Sequence, residues 1–442
     1  MTRLLAACGL LLAFEASALA QKPDDLSISE FDPGFAVRPT SSIEGPGIKI
    51  GEGTVLHPVF GLETGLVSNV FYDDTDERAA GLLRMLAQIG TASASTKRLS
   101  PAADSIEDDE EAAAEFGAFQ YRANVRLAYD LMLSGNEVVS GTGGLGAGAL
   151  FKGMVNPMGP WSFGFEENFT RMIRAANFET EANTNRDINL LRLLLLWHPS
   201  DRSIGGYLYY NNKIDIFERS EQNFANRWEH RVGIHPMWRW RPQTMFFADI
   251  SQSISTGLGA DADLKATSYP FRATLGLSTL LSLKTTFNLQ AGYTNGFYST
   301  GPNFSAPLVA AQLGFRYSPL GRLVLSYDYS HQDSINANFF RDHAIALRLA
   351  QGITPVVLMV QPEVHLRQYT GISLVMGPPE RDDVIFAVVG GIHYNFRDWA
   401  MATLDYRFTT VVTDYMYTSD GSTFDDPSYA RHELLAGFRV AM

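Results

Sequence analysis

The chain has 442 residues and is 45% hydrophobic and 12% aromatic but only 19% charged, which is too apolar for disorder and poorly charged for a soluble protein. A formal net charge of −13 argues against nucleic acid as a partner. The single cysteine, Cys8, leaves the rest of the chain without a disulfide, a Cys-ligated metal or a Cys nucleophile, and no cofactor or metal is implied.

Residues 1–20 read as a secretory signal peptide. Arg3 supplies the positive start, Leu4 to Phe14 the apolar stretch, and Ala18-Leu19-Ala20 the small-x-small cleavage pattern. Reading Leu5-Ala6-Ala7-Cys8 as a lipid-attachment site would leave too short an apolar stretch. Residues 21–53, rich in Pro and Gly from Pro33 to Gly53, are expected to form a periplasmic lead or a plug. Beyond Ala20 no segment approaches the roughly 18 to 20 apolar residues that a spanning helix needs. The longest runs, Leu190 to Trp197 and Val384 to Ile392, fall far short.

From residue 54 to 442 the dominant period is two. Phe119, Tyr121, Ala123, Val125, Leu127 and Tyr129 fall on one face, while Gln120, Arg122, Asn124, Arg126 and Asp130 fall on the other. The pattern returns about eighteen times, from 54–70 and 79–94 through 399–412 and 431–442. The connections alternate between tight turns, such as Arg241-Pro242, Pro319-Leu320-Gly321, Thr354-Pro355 and Arg397-Asp398, and long polar loops, such as 257–269 and 413–430. An apolar face opposite an arginine-bearing face suits lipid around a wet lumen, and strands facing lipid must close on themselves because open edges cannot meet hydrocarbon. The predicted fold is therefore all-β: a transmembrane antiparallel up-and-down β-barrel of about 18 strands in the bacterial outer membrane, with both termini periplasmic.

Two features fit less neatly. The acidic stretch 104–115 stands where a short turn is expected, and Glu167 and Arg171 fall on the lipid-facing register of 161–174, which points to a bulge or the membrane rim. Gly144, Gly146 and Gly148 leave one wall without side chains, as if to make room for a plug. Trp161, Trp197, Trp228, Trp238, Trp240 and Trp399 mostly lie at strand ends, as interfacial aromatics do.

Leu434, Ala436, Phe438, Val440 and Met442 alternate up to the last residue. This resembles the terminal signal read by the bacterial barrel-assembly machinery, although that pattern prefers an aromatic final residue and Met442 departs from it. The segment Gly61-Leu62-Glu63-Thr64-Gly65-Leu66-Val67-Ser68-Asn69-Val70-Phe71 is similar to the first strand of β-barrel porins of the polysaccharide-gene-cluster type. By architecture the whole barrel also resembles those that export exopolysaccharide. The resemblance implies a non-enzymatic translocation barrel that works with outer-membrane lipid, lipopolysaccharide and periplasmic export proteins.

The residues add the lumen. Arg122, Arg126, Arg192, Arg231, Arg239, Arg272, Arg316, Arg348, Arg367, Arg407 and Arg439 fall inward, with Asp328 and Asp405 among the facing acids. They serve either as a network of ion pairs or as a conduit for a polar or anionic polymer, since guanidinium groups bind carboxylate and phosphate in pairs. Export of exopolysaccharide is the leading expectation. A general or anion-leaning diffusion porin and a structural anchor for an envelope-spanning complex are the alternatives. No triad-like cluster is visible, because His198, His343, His365, His393 and His432 have no Ser or carboxylate partner that the sequence can place, and His230 and His235 fall on opposite faces.

Overall fold

The computed structural model describes residues 43, 45–50, 55–92, 118–157, 159–173, 185–199, 203–372, 377–416, 418 and 426–442. The signal-peptide reading of 1–20, most of 21–53, and the acidic stretch 104–115 lie outside them.

A two-residue strand, β1 (Ile48–Lys49), precedes eighteen long ones: β2 (Val55–Val67), β3 (Ala80–Ala92), β4 (Phe119–Leu133), β5 (Gly144–Val155), β6 (Trp161–Met172), β7 (Arg186–Trp197), β8 (Ile204–Phe217), β9 (Arg227–Arg241), β10 (Thr244–Gly257), β11 (Phe271–Ser282), β12 (Thr285–Asn295), β13 (Ser305–Ser318), β14 (Gly321–Asp333), β15 (Phe339–Ile353), β16 (Val356–Thr370), β17 (Glu380–Arg397), β18 (Ala400–Thr413) and β19 (Tyr429–Ala441). Each pairs antiparallel with the next, and β19 pairs antiparallel with β2, so the sheet closes into an eighteen-strand cylinder. No described helix is long and apolar enough to cross a membrane; strands make the wall.

The wall is inside out relative to a soluble protein. Side chains diverge on the convex face of a closed sheet and crowd on the concave face, so exposure separates the two registers. Large apolar residues occupy the open, outer register: Leu275 is 73% exposed, Leu66 65% and Val232 62%. Fully exposing one such side chain to water forgoes about 1.5–3 kcal/mol, so a belt of them is stable only against hydrocarbon. Buried charged and polar residues, among them Glu63, Arg84, Arg192, Asp249 and Arg407, fill the inner register.

The tight turns lie at one end, where β9 meets β10, β11 meets β12, β13 meets β14, β15 meets β16 and β17 meets β18 within two residues. The chain end lies there too: the Met442 backbone N–H donates to the Pro58 carbonyl at 2.9 Å. Ile43 and residues 45–50 lie at the same mouth. Ile43 is buried against the inward side chains of Val59, Met401 and Ala441, and β1 pairs with the start of β2.

The opposite end is narrowed by loops folded inward. A one-turn helix, α1 (Glu137–Ser140), capped by the Asn136 side chain, packs Val139 against Val67, Leu82 and Leu435. Tyr72 packs with Ile385, Val411 and Tyr429, and Ala337 with Phe340 and Tyr369. The glycine wall of β5 has a different use from the plug that the sequence suggests. A Cβ on Gly148 would lie 3.3 Å from Arg126 Nε and one on Gly144 3.2 Å from Ile173 Cδ1, so wall side chains already occupy that room. Glu167 and Arg171 do fall on the outer register, and Arg171 pairs with Glu218 just past the end of β8 at 2.7 Å, which puts this ion pair at the rim.

Candidate functional site: the charged lumen wall

Arginines and lysines outnumber carboxylates on the inner register, the reverse of the chain's net −13. They are arranged differently on two arcs of the wall.

The first arc runs through the seam where the last strand meets the first. One residue from each of six successive strands forms an unbroken ladder of ionisable side chains. His393 meets Asp405 at 3.0 Å, Asp405 meets Arg439 at 4.0 Å, and Arg439 donates to Glu63 at 3.2 Å. Glu63 lies 3.7 Å from Arg84, whose fork donates to both oxygens of Asp130 at 2.7 and 2.9 Å. The segment Gly61–Phe71 is thus the first-strand half of the seam. Glu63 carries the ladder, and a Cβ at Gly65 would lie 1.8 Å from the Leu434 carbonyl oxygen. Above them Arg431 binds the carbonyls of Asn69 and Val70 at 2.9 and 3.1 Å, contacts Glu433, and lies 4.4 Å over the Tyr72 ring. Further along, Arg367 donates to Asp342 at 3.0 Å beside His365, and Arg381 makes a fork to Asp383. Such buried charges persist because each has a partner, and removing one side leaves the other stranded.

The second arc, β6 to β14, holds a cavity of about 190 Å³ lined by Asn168 and Asn211, Lys213, Glu229, Arg231, Arg272 and the serine column Ser251, Ser253 and Ser255. Small hydroxyl side chains on β10 leave the space, and Tyr298 and Phe304 from the inward-folded loop between β12 and β13 roof it with His331. Burial, with Asp333 beside it, holds the Tyr298 phenol well above its usual range, so it remains a donor to that carboxylate. Arg231 is shared between Ser253 and Glu229, each at 2.8 Å. Arg272 reaches only Gln290, at a marginal 3.5 Å, and its buried Nε has no partner among the described residues. At the loop end of this arc Arg227 donates to the Ala266 carbonyl at 3.0 Å, and its Nε and Nη1 lack partners among the described residues.

The arginines singled out from the sequence are spread around the cylinder. Arg122 and Arg126 are inward on β4, and Arg192 donates to Asn211 at 3.3 Å with Glu166 3.9 Å away. Arg239 lies inward near the tight-turn end of β9, Arg316 stands opposite Arg322 by the turn between β13 and β14, and Arg348 donates to Gln361. Arg407 is buried opposite Glu433, and Asp328 lies inward on β14. Of these, Asp405 meets Arg439 in the ladder, and Arg231 and Arg272 line one cavity.

Alternation alone also pointed to Arg84, Arg186, Arg227, Arg381 and Arg431, since each shares the inward parity of its strand, and the sequence reading passed over them. The histidines need correction. His365 meets Asp342 at 2.8 Å, His393 meets Asp405, and His198 meets Ser162 at 3.0 Å, all across strands where sequence spacing shows nothing. Ser162 Oγ itself donates to the Asn156 carbonyl.

On the outer register Trp161 and Trp197 face each other with ring centroids 6.3 Å apart, and Trp238 and Trp240 flank Phe246. These four and Trp399 stand at the tight-turn end, and Trp228 at the other. Phe438, Val440 and Met442 also lie on the outer register, with Phe438 6.1 Å from Phe396.

No protein-family model matches the chain, and no curated protein matches it. Among solved structures it is similar to the outer membrane protein OpdK of Pseudomonas aeruginosa (7% identity, TM-score 0.45, covering 88% of this chain and 99% of that one). OccK2 of the same organism, in complex with glucuronate, gives 10% identity and a TM-score of 0.44 over 88% of this chain and 98% of that one. OpdQ, also of P. aeruginosa, gives 9% and 0.44 over the same shares. With its sheet sealed, its apolar side chains outside and its charges within, the chain has the fold of a porin-like outer-membrane β-barrel.

Proposed function

We propose that the protein is a diffusion channel for small polar solutes with a leaning toward anions, its tight-turn end facing the periplasm. The observation that carries this reading is Arg272, which faces the cavity of the second arc with no carboxylate partner among the described residues, and lines it together with Lys213 and Arg231. A guanidinium with open donors beside a column of hydroxyls suits a hydroxylated carboxylate, because it supplies paired charged hydrogen bonds that the wall itself does not satisfy. The cavity, smaller than the roughly 300–1,000 Å³ of ordinary small-molecule pockets, and the inward-folded loops favour single small solutes over a polymer strand. Export of exopolysaccharide, the leading expectation from the sequence, therefore ranks behind the diffusion-channel alternative.

The test is planar-bilayer recording of the purified barrel under a salt gradient, with liposome swelling by neutral sugars and by uronic acids of the same size. Open-channel steps, a reversal potential of anionic sign and faster entry of the acids are expected. A barrel that never conducts and passes neither class of sugar would refute the reading.

A further inference from the structure

The outer face carries one side-chain arrangement three times. On β8 and β9 the Tyr210 hydroxyl bonds His230 Nδ1 at 2.7 Å; on β14 and β15 Tyr327 bonds His343 Nδ1 at 2.9 Å; on β18 and β19 Tyr406 bonds His432 Nδ1 at 2.8 Å. In each case the tyrosine sits on the strand leaving the tight-turn end, and the histidine on the returning strand is two residues nearer the loops than the tyrosine's register partner. Each imidazole also lies against a further ring: Trp228 at 4.3 Å, Tyr329 at 4.2 Å and Phe408 at 4.7 Å. Polar groups on a lipid-facing register are costly within hydrocarbon, so their shared place calls for a shared partner.

That place is the upper border of the apolar belt. Trp240 and His230 are ten residues apart on β9, which at ~3.3 Å per residue and ~40° tilt spans about 25 Å, the height of such a belt. His343 and His432 stand a similar distance from the tight-turn ends of β15 and β19. The two borders thus differ in chemistry, with five of the six tryptophans below and the Tyr–His pairs, joined by Trp228, above. When the tyrosine donates to Nδ1, the proton of a neutral imidazole sits on Nε2. For none of the three histidines does Nε2 meet a protein partner among the described residues, so it is left as a donor to the headgroup layer. At His343 a cation adds to it: Arg341, exposed, lies two positions along on the same face of β15 and has no ion-pair partner among the described residues.

We infer that the three Tyr–His pairs bind lipid phosphate at the long-loop border of the barrel, with His343 and Arg341 as the principal site. The inference rests on the membrane-barrel reading and is independent of what the lumen passes.

The test uses native mass spectrometry of the folded full chain in detergent. Bisphosphorylated lipid A, its dephosphorylated form and phosphatidylglycerol are offered separately, with heat-modifiable gel migration as the check on folding. The expected result is retention of phosphorylated lipid that falls about tenfold in a His230→Phe, His343→Phe, His432→Phe, Arg341→Ala variant, as loss of charge-assisted hydrogen bonds implies. Dephosphorylated lipid should bind the wild type as weakly as phosphorylated lipid binds the variant. Binding of lipid A alone would identify a glycolipid phosphate as the ligand, and equal binding of phosphatidylglycerol a glycerophospholipid phosphate; both support the inference. Equal retention of phosphorylated and dephosphorylated lipid A, or undiminished retention by the variant, overturns it. Should the fourfold variant fail to fold, Arg341→Ala with His343→Phe gives the same test at the principal site. Unchanged conductance in either variant separates this result from the fate of the channel reading.

Discussion

The seam arc and the cavity arc are built from the same residue types and put them to opposite use. On the seam, Arg84, Arg439, Arg431 and Arg381 each meet a carboxylate on the wall, and the ladder from His393 to Asp130 crosses the junction of β19 with β2. On the cavity arc the serine column holds space open, and Arg272 faces it with no carboxylate partner among the described residues. Closing a cylinder brings together the two ends of the chain at a large cost in loop entropy, so the junction is where wall charges are most useful when satisfied among themselves. A passage has the opposite need, for groups whose partner is the solute.

The largest expected effect that would break this contrast lies at the seam. Gly65→Val places a side chain against the Leu434 carbonyl and should leave little or no barrel with heat-modifiable migration, whereas Gly148→Ala on the opposite face of the same argument should fold, because only the flexible end of Arg126 must yield. Next is Glu63→Gln, which removes the carboxylate shared by Arg84 and Arg439. A loss of about 3 kcal/mol in urea unfolding is expected, with ion selectivity unchanged. Arg272→Gln should behave in the reverse way. Stability stays within about 0.5 kcal/mol, while the anion-to-cation permeability ratio from reversal potentials falls, on the order of a few-fold, as a lost wall charge predicts. A seam variant that alters selectivity, or a cavity variant that unfolds the barrel, would erase the distinction between the arcs.

A smaller effect belongs to the loop between β2 and β3. Burial, the largest single influence, pushes the Asp73 carboxyl up, but the backbone N–H groups of Asp76 and Thr75, at 2.8 Å each, with the Thr75 hydroxyl and nearby Arg78, together outweigh it and hold the carboxyl below its ordinary 3.8. With the folded value depressed, the loop's extra order is present above pH 3.8 and is lost as pH falls through the lower value. Limited proteolysis within 68–79 should therefore be slow at neutral pH and quicken only in strong acid. Asp73→Asn should show the acid behaviour at every pH.

Much of this molecule was legible from one strand at a time. The alternation along 118–133 places Arg122 and Arg126 inward before any neighbour is known, because successive side chains on a strand must point to opposite faces. The same rule gave eighteen strands and the outward Phe438, and the alternating lengths of the connections separately gave the tight turns at one end. What it could not give was partnership. Nothing local tells that Glu63 will meet Arg439 from the far end of the chain, that His365 will find Asp342, or that Gly148 exists for Arg126, since each contact depends on register and on closure of the sheet.

By itself the sequence determined which face of each strand meets hydrocarbon, for period and polarity are properties of consecutive residues. Only the tertiary structure decided which charges cancel and which stay open, because the inward-folded loops and the meeting of β19 with β2 set distances between residues hundreds of positions apart. The serine column became a cavity, and Arg272 a cation facing it, only when eight strands between β6 and β14 curved around the same space.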